Sequence, residues 1–162
     1  MPAPSARTRY RAYSEGAGQS AFTNPVFFLP GSCAYAQYGL GLGGANTGTL
    51  ASASSPTQGS FNTLHASFPA ALSTPVFFGA SGTPIPGGAP LLGGFLLIGF
   101  PPFFTAGGVL AAGQAALTYQ VPSDPGLPGA SVYWQAVAFD PSQPSSFAFS
   151  NGLSLTVCAL LQ

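Results

Sequence analysis

Few residues of this chain could do chemistry. His65 is the one histidine, set in FNTLHASF, and any general base or imidazole ligand would have to be built on it. The carboxylates are Glu15, Asp124 and Asp140. Both aspartates precede a proline in a turn, where an Asp side chain caps backbone amides. As a pair they would be the acid and base of a glycosidase. With a serine and His65, one of them would complete a nucleophilic triad. No G-x-S-x-G elbow is present to present that serine. Calcium asks for more clustered carboxylates than these, and zinc for a His/Cys cluster. The runs GLGLGG and GGAPLLGG lack the lysine of a phosphate loop and read as turns. The inventory points to a protein that is not an enzyme and holds no metal or other cofactor, with His65 on the polar face of a strand.

Arg7, Arg9 and Arg11 alternate in RTRYR, so an extended backbone would put all three on one side and Thr8 and Tyr10 on the other. Three arginines on a chain of zero formal net charge are a weak footprint for nucleic acid or anionic lipid, and no nucleic-acid partner is expected. They suit an arm that lies along a neighbouring subunit. Cys33 and Cys158 bracket most of the chain. A disulfide closing so long a loop would contribute about 4–5 kcal/mol in the chain-entropy model and would indicate an oxidising compartment. Two separate buried thiols are the alternative. Tyr35, Tyr38, Tyr133 and Trp134 would stack on a sugar if they shared an exposed face, although Trp134 sits mid-strand, where a core role is the stronger expectation.

The elements that must position these groups are strands. Only 4% of residues are charged and there is no lysine, against about 25% charged in a typical domain. With 22 Gly and 17 Pro, disorder has to be considered, but 46% hydrophobic and 13% aromatic residues supply a core. Short apolar runs alternate with Gly, Pro, Ser and Asn clusters from Thr23 onward, and no long stretch keeps helical periodicity free of Gly and Pro. The expected fold is an all-β antiparallel sandwich, jelly-roll or immunoglobulin-like, over 23–162, preceded by an extended N-terminal arm over 1–22. In SVYWQAVAF (131–139) both faces carry bulk, which predicts a central strand. LSLTVCALL alternates as a half-buried strand, and Asn151-Gly152 predicts a tight hairpin joining Phe147–Phe149 to Leu153–Leu155. LLGGFLLIGF (91–100) is about half a membrane span and reads as a strand pair or one long strand, so no membrane span is expected. PVFF occurs at 25–28 and again at 75–78, each a strand beginning with a proline that an edge or strand start tolerates. The opening MPAPSARTRYR is basic like the start of a secretory leader, but no 7–15-residue apolar run follows it. Export would then use another route or a different start.

The C-terminal half carries three ordered motifs: PSDPGLPG (122–129), YWQAVAFDP (133–141) and SNGLSLT (150–156). In these it resembles a C-terminal β-sandwich-like domain of predicted secreted planctomycete and myxobacterial proteins. GGFLLIGFPP (93–102) and Cys33 followed by a Gly-rich run are similar to the same domain. The resemblance, over about 33–158, implies a secreted or cell-surface β-sandwich and no activity.

Charge depletion removes the repulsion that keeps copies of a protein apart. The first expectation is therefore an extracellular or cell-surface structural subunit that packs against copies of itself into a filament or array. The arm and the strand Val26, Phe27, Phe28 and Leu29 would add to a neighbour's sheet edge. A module binding cell-surface glycan is the alternative.

Overall fold

The computed structural model describes residues 34–39, 48–68 and 73–159, together with strand backbone at 8–10, 13–16, 19–22 and 26–28. The fold is all-β, every strand pair is antiparallel, and there is no helix among the described residues. None of these residues therefore forms a helix long and apolar enough to cross a membrane. The chain divides into two compact units, Met1–Ser32 and Cys33–Gln162.

In the first unit, β1 (Thr8–Tyr10) pairs with β4 (Val26–Phe28), setting Arg9 opposite Phe27. Within the same unit, β2 (Tyr13–Gly16) pairs with β3 (Gln19–Phe22). The first PVFF segment thus finds its partner upstream and belongs to this unit, not to the sandwich that composition assigned it to. Arg7, Arg11, Leu29 and Cys33 lie outside the described residues.

The second unit contains β5 (Tyr35–Tyr38), β6 (Thr49–Ser52), β7 (Phe61–Ser67), β8 (Pro75–Ser81), β9 (Pro84–Leu91), β10 (Gly94–Ile98), β11 (Phe104–Val109), β12 (Gln114–Gln120), β13 (Ser131–Phe139), β14 (Phe147–Phe149) and β15 (Gly152–Thr156). The main sheet runs β11-β8-β13-β15-β5, with β14 also beside β13. A second sheet runs β12-β7-β6. The alternation of β7 explains how they pack: Asn62, Leu64 and Ala66 are buried, while Phe61 and His65 are exposed. Leu50, Leu64 and Ala66 of the small sheet meet Val76, Phe78, Ala80, Trp134, Ala136, Leu153 and Leu155 of the large one in a single apolar core. The period of two is what lets each strand give one row of side chains to that core.

β13 is central, as its two bulky faces required. It pairs with β8 on one side and with β14 and β15 on the other. Trp134, Ala136 and Ala138 point into the core. Its other face is covered by the β9–β10 hairpin, and Gln135 makes that junction. Only 1% exposed, Gln135 accepts from Leu97 N through Oε1 at 2.9 Å. Its Nε2 donates to Phe95 O at 2.8 Å and Ser150 O at 3.1 Å. Tyr38 Oη donates to Leu97 O at 2.8 Å. The β9–β10 register shifts between Leu96 and Ile98, and two side chains meet the Leu97 backbone there.

The Asn151-Gly152 dipeptide does not turn a hairpin. β14 and β15 are successive pieces of one chain path along the same side of β13, broken at Ser150 and Asn151. At the break, Ala136 N donates to Ser150 Oγ and Ser150 N donates to Ala136 O. Asn151 spends its amide on the other sheet: Leu50 N donates to its Oδ1 at 2.8 Å, and its Nδ2 donates to Leu50 O and Gly152 O. Glycine follows it for room, because a Cβ there would sit 2.4 Å from Tyr38 Cζ. The hairpin turn predicted at this site instead joins β9 to β10, where Leu92 and Gly93 have φ of 47° and 76° between the paired Leu91 and Gly94.

Two strands went unread. β9, PIPGGAPL, holds three prolines, which remove ladder donors; it survives by pairing on one side only. β11, FTAGGV, contains Gly107 and Gly108, which weaken the strand signal in composition. Those glycines lie opposite Phe77 and Val76, and a Cβ on either would already touch that side chain at 3.6–3.7 Å.

Candidate functional site

The dispersed ionisable residues stay dispersed in function. His65 lies on the outward face of β7, opposite Ala51 and Ala116 in the neighbouring strands. Asp124 accepts from Gly126 N at 2.7 Å, closing its own turn. Asp140 accepts from Ser142 Oγ at 2.6 Å and from Ser142 N at 2.9 Å. The Ser142 hydroxyl, with lesser help from the Ser142 amide and Gln143, holds the Asp140 carboxyl below its ordinary value, against the opposing effect of burial. Both aspartates work as turn caps. Among the described residues, no three His, Cys, Asp or Glu side chains gather as a metal cluster would. Cys158 is not a free thiol.

The four residues expected as a sugar platform separate into two pairs by strand parity. Tyr38 and Tyr133 lie on the outer face of the large sheet, with ring centroids 5.9 Å apart at 89°. Burial, and then the neighbouring Tyr133, push the Tyr38 hydroxyl up, which keeps the proton it donates to Leu97 O. Trp134 faces the core and is 3% exposed. Tyr35 is paired with Leu155, whose side chain also faces the core, and lies half-exposed on the edge strand β5. No single face presents all four.

What the structure does gather is apolar surface around one sheet edge. Among the described residues β11 has a ladder on one side only, in six consecutive pairs with β8 from Phe104↔Ala80 to Val109↔Pro75. Nothing in FTAGGV is charged, no proline interrupts it and no register shift twists it. Val109 is 68% exposed and, on the adjacent strand β8, Phe77 is 56% exposed on the same outer face. Phe77 belongs to a groove shared with Leu91, Ile98, Phe100 and Pro102, and Phe100 is 80% exposed. Phe103 and Phe104 are exposed at the start of the strand. Sequence reasoning placed the apolar contact surface at 26–29; the signal it passed over was the charge-free stretch from Phe100 to Val109.

A second feature lies at one end of the sandwich. An apolar cavity of about 340 Å³ opens between the two sheets, walled by Phe104, Tyr119, Val132, Trp134 and Leu155 among others. Tyr119 is held by Asn62, whose Nδ2 donates to its Oη at 3.2 Å while Ser52 and Ser54 donate to Asn62 Oδ1. Burial raises the Tyr119 hydroxyl above its ordinary value, partly offset by its hydrogen-bonding neighbours.

No protein-family model matches the chain, and no curated protein matches it.

Proposed function

We propose that this is a non-enzymatic extracellular structural protein whose copies assemble through the open edge of the large sheet. The carrying observation is β11: six exposed or half-exposed residues with one unpaired edge and no charge, proline or bulge to blunt it. Soluble proteins guard such edges, because a row of unpaired N–H and C=O groups templates another strand. Here the edge is flanked by Phe77, Phe100 and Val109, which a second copy would remove from water. The other end of the same sheet is β5. Four antiparallel steps separate β11 from β5, so the two edges run in the same direction. A β11-to-β5 contact between copies is heterologous, and such a contact propagates as a filament wherever its rotation does not close a ring. The near-absence of charge lowers the repulsion that would oppose it. A Cys33–Cys158 disulfide belongs to this reading, supported by Cys158 not being free, and fits an oxidising exterior.

Light scattering with negative-stain microscopy of the native, unreduced protein tests the reading. Regular polymers are expected, dissolved to a 16.2 kDa monomer by Thr105→Lys together with Val109→Lys, two outward positions on the edge strand. A wild-type monomer at all concentrations, or polymers indifferent to the lysines, would overturn it.

A further inference from the structure

We infer that the cavity between the sheets is a binding site for a small, neutral, apolar molecule that carries one hydrogen-bond acceptor. The wall is almost wholly apolar, and no charged side chain lines it. Its volume, about 340 Å³, lies within the range of small-molecule sites. An isolated ion in such a wall would go unpaired, which rules out charged ligands on desolvation grounds. The one polar demand comes from Trp134. This side chain lines the cavity, and its Nε1 is buried with no well-formed hydrogen bond among the described residues. The Tyr119 hydroxyl is a hydrogen-bonding neighbour of Trp134, but it is not placed to satisfy the indole N–H in full. Buried indole N–H groups almost always find an acceptor. A carbonyl, ether or hydroxyl oxygen on a ligand would supply it.

The rest of the wall is built to hold a flat ring. Phe104 meets Trp134 edge-on, with centroids 5.5 Å apart at 69°. Tyr119 lies 5.0 Å from Trp134 at 37°. The Asn62 network fixes Tyr119, so the aromatic wall is preformed and little ordering cost falls on binding. Phe103, well exposed, stands at the rim. A sugar would leave most of its hydroxyls unpaired here, so the site selects against the glycan expected of an aromatic platform.

The test uses the whole chain and two fluorescent probes. One is 6-propionyl-2-(dimethylamino)naphthalene, neutral and apolar with a single ketone. The other is 2-(dimethylamino)naphthalene, the same ring system without the ketone. Trp134 is the only tryptophan, so energy transfer from protein to probe reports this one site. Saturable one-to-one binding of the ketone is expected, with blue-shifted probe emission and quenched Trp134 emission. Losing the ketone should weaken binding about tenfold, the worth of one net hydrogen bond. Trp134→Phe removes the N–H and keeps a ring; it should abolish the difference between the probes, read from probe emission alone. Val132→Phe fills the cavity and should weaken both probes at least tenfold. This second variant keeps the test sharp if Trp134→Phe fails to fold. Absence of saturable binding to the folded chain overturns the site, as does binding unaffected by Val132→Phe. Equal affinity of the wild-type protein for both probes overturns the role given to Trp134.

Discussion

Gln135→Leu is the substitution that most directly tests how this fold is held. Leucine nearly matches glutamine in volume, so the change removes polarity and leaves packing almost intact. Gln135 makes three hydrogen bonds, to Leu97 N, Phe95 O and Ser150 O. Leu97 and Ser150 are fully buried, so two of those partners cannot turn to water without moving. A buried backbone group left unsatisfied costs about 1–3 kcal/mol. The apolar leucine recovers part of this by burial. The net loss should be about 2–5 kcal/mol, a large share of the roughly 5–15 kcal/mol that stabilises an ordinary domain. Urea unfolding followed by Trp134 fluorescence measures it. With an m-value of about 2 kcal/mol/M, the midpoint should fall by about 1–2.5 M. Hydrogen exchange should show the Leu97 amide losing protection before the rest, because β9–β10 is joined to the large sheet through side chains and not by a ladder. His65→Ala, on an exposed strand face, serves as the control and should change stability by less than about 0.5 kcal/mol. A Gln135→Leu loss below about 1 kcal/mol at unchanged m would refute the reasoning, by showing that the hairpin does not depend on this side chain.

Gly152→Ala should destabilise the fold by about 1–3 kcal/mol through overpacking, since the added methyl would meet the Tyr38 ring at 2.4 Å; Tyr38→Ala in the same chain should relieve part of that loss in a double-mutant unfolding cycle. Asp140 has a carboxyl pKa depressed in the folded state, so the stability it contributes is present above the unfolded value near 3.9 and is lost as pH falls through the folded value. Wild type should therefore lose more stability than Asp140→Asn between pH 6 and pH 2.5, and equal losses in unfolding titrations would count against the turn described. Reduction, or Cys33→Ser, should cost about 4–5 kcal/mol if the two cysteines pair; thermal unfolding indifferent to reductant would remove the disulfide from the proposal.

Strand identity was legible in the sequence wherever alternation was strong. SVYWQAVAF declared a central strand because both parities are bulky, and the structure sheets it on both sides with Trp134 inward and Gln135 outward. The all-β class followed from short apolar runs that Gly and Pro punctuate too often for helices. What the residues could not state was which strand lies beside which. Asn151-Gly152 has the composition of a hairpin turn, but its amide serves Leu50 in the opposite sheet and its glycine makes room for Tyr38, both distant in sequence. Parity put Tyr133 and Trp134 on opposite faces; only the packing of a second sheet and of the β9–β10 hairpin decided which face was core. The exposed edge at β11 and the cavity beside Trp134 are properties of empty space between elements. A chain specifies its residues locally, but the gaps and unpaired edges exist only once the sheets are stacked.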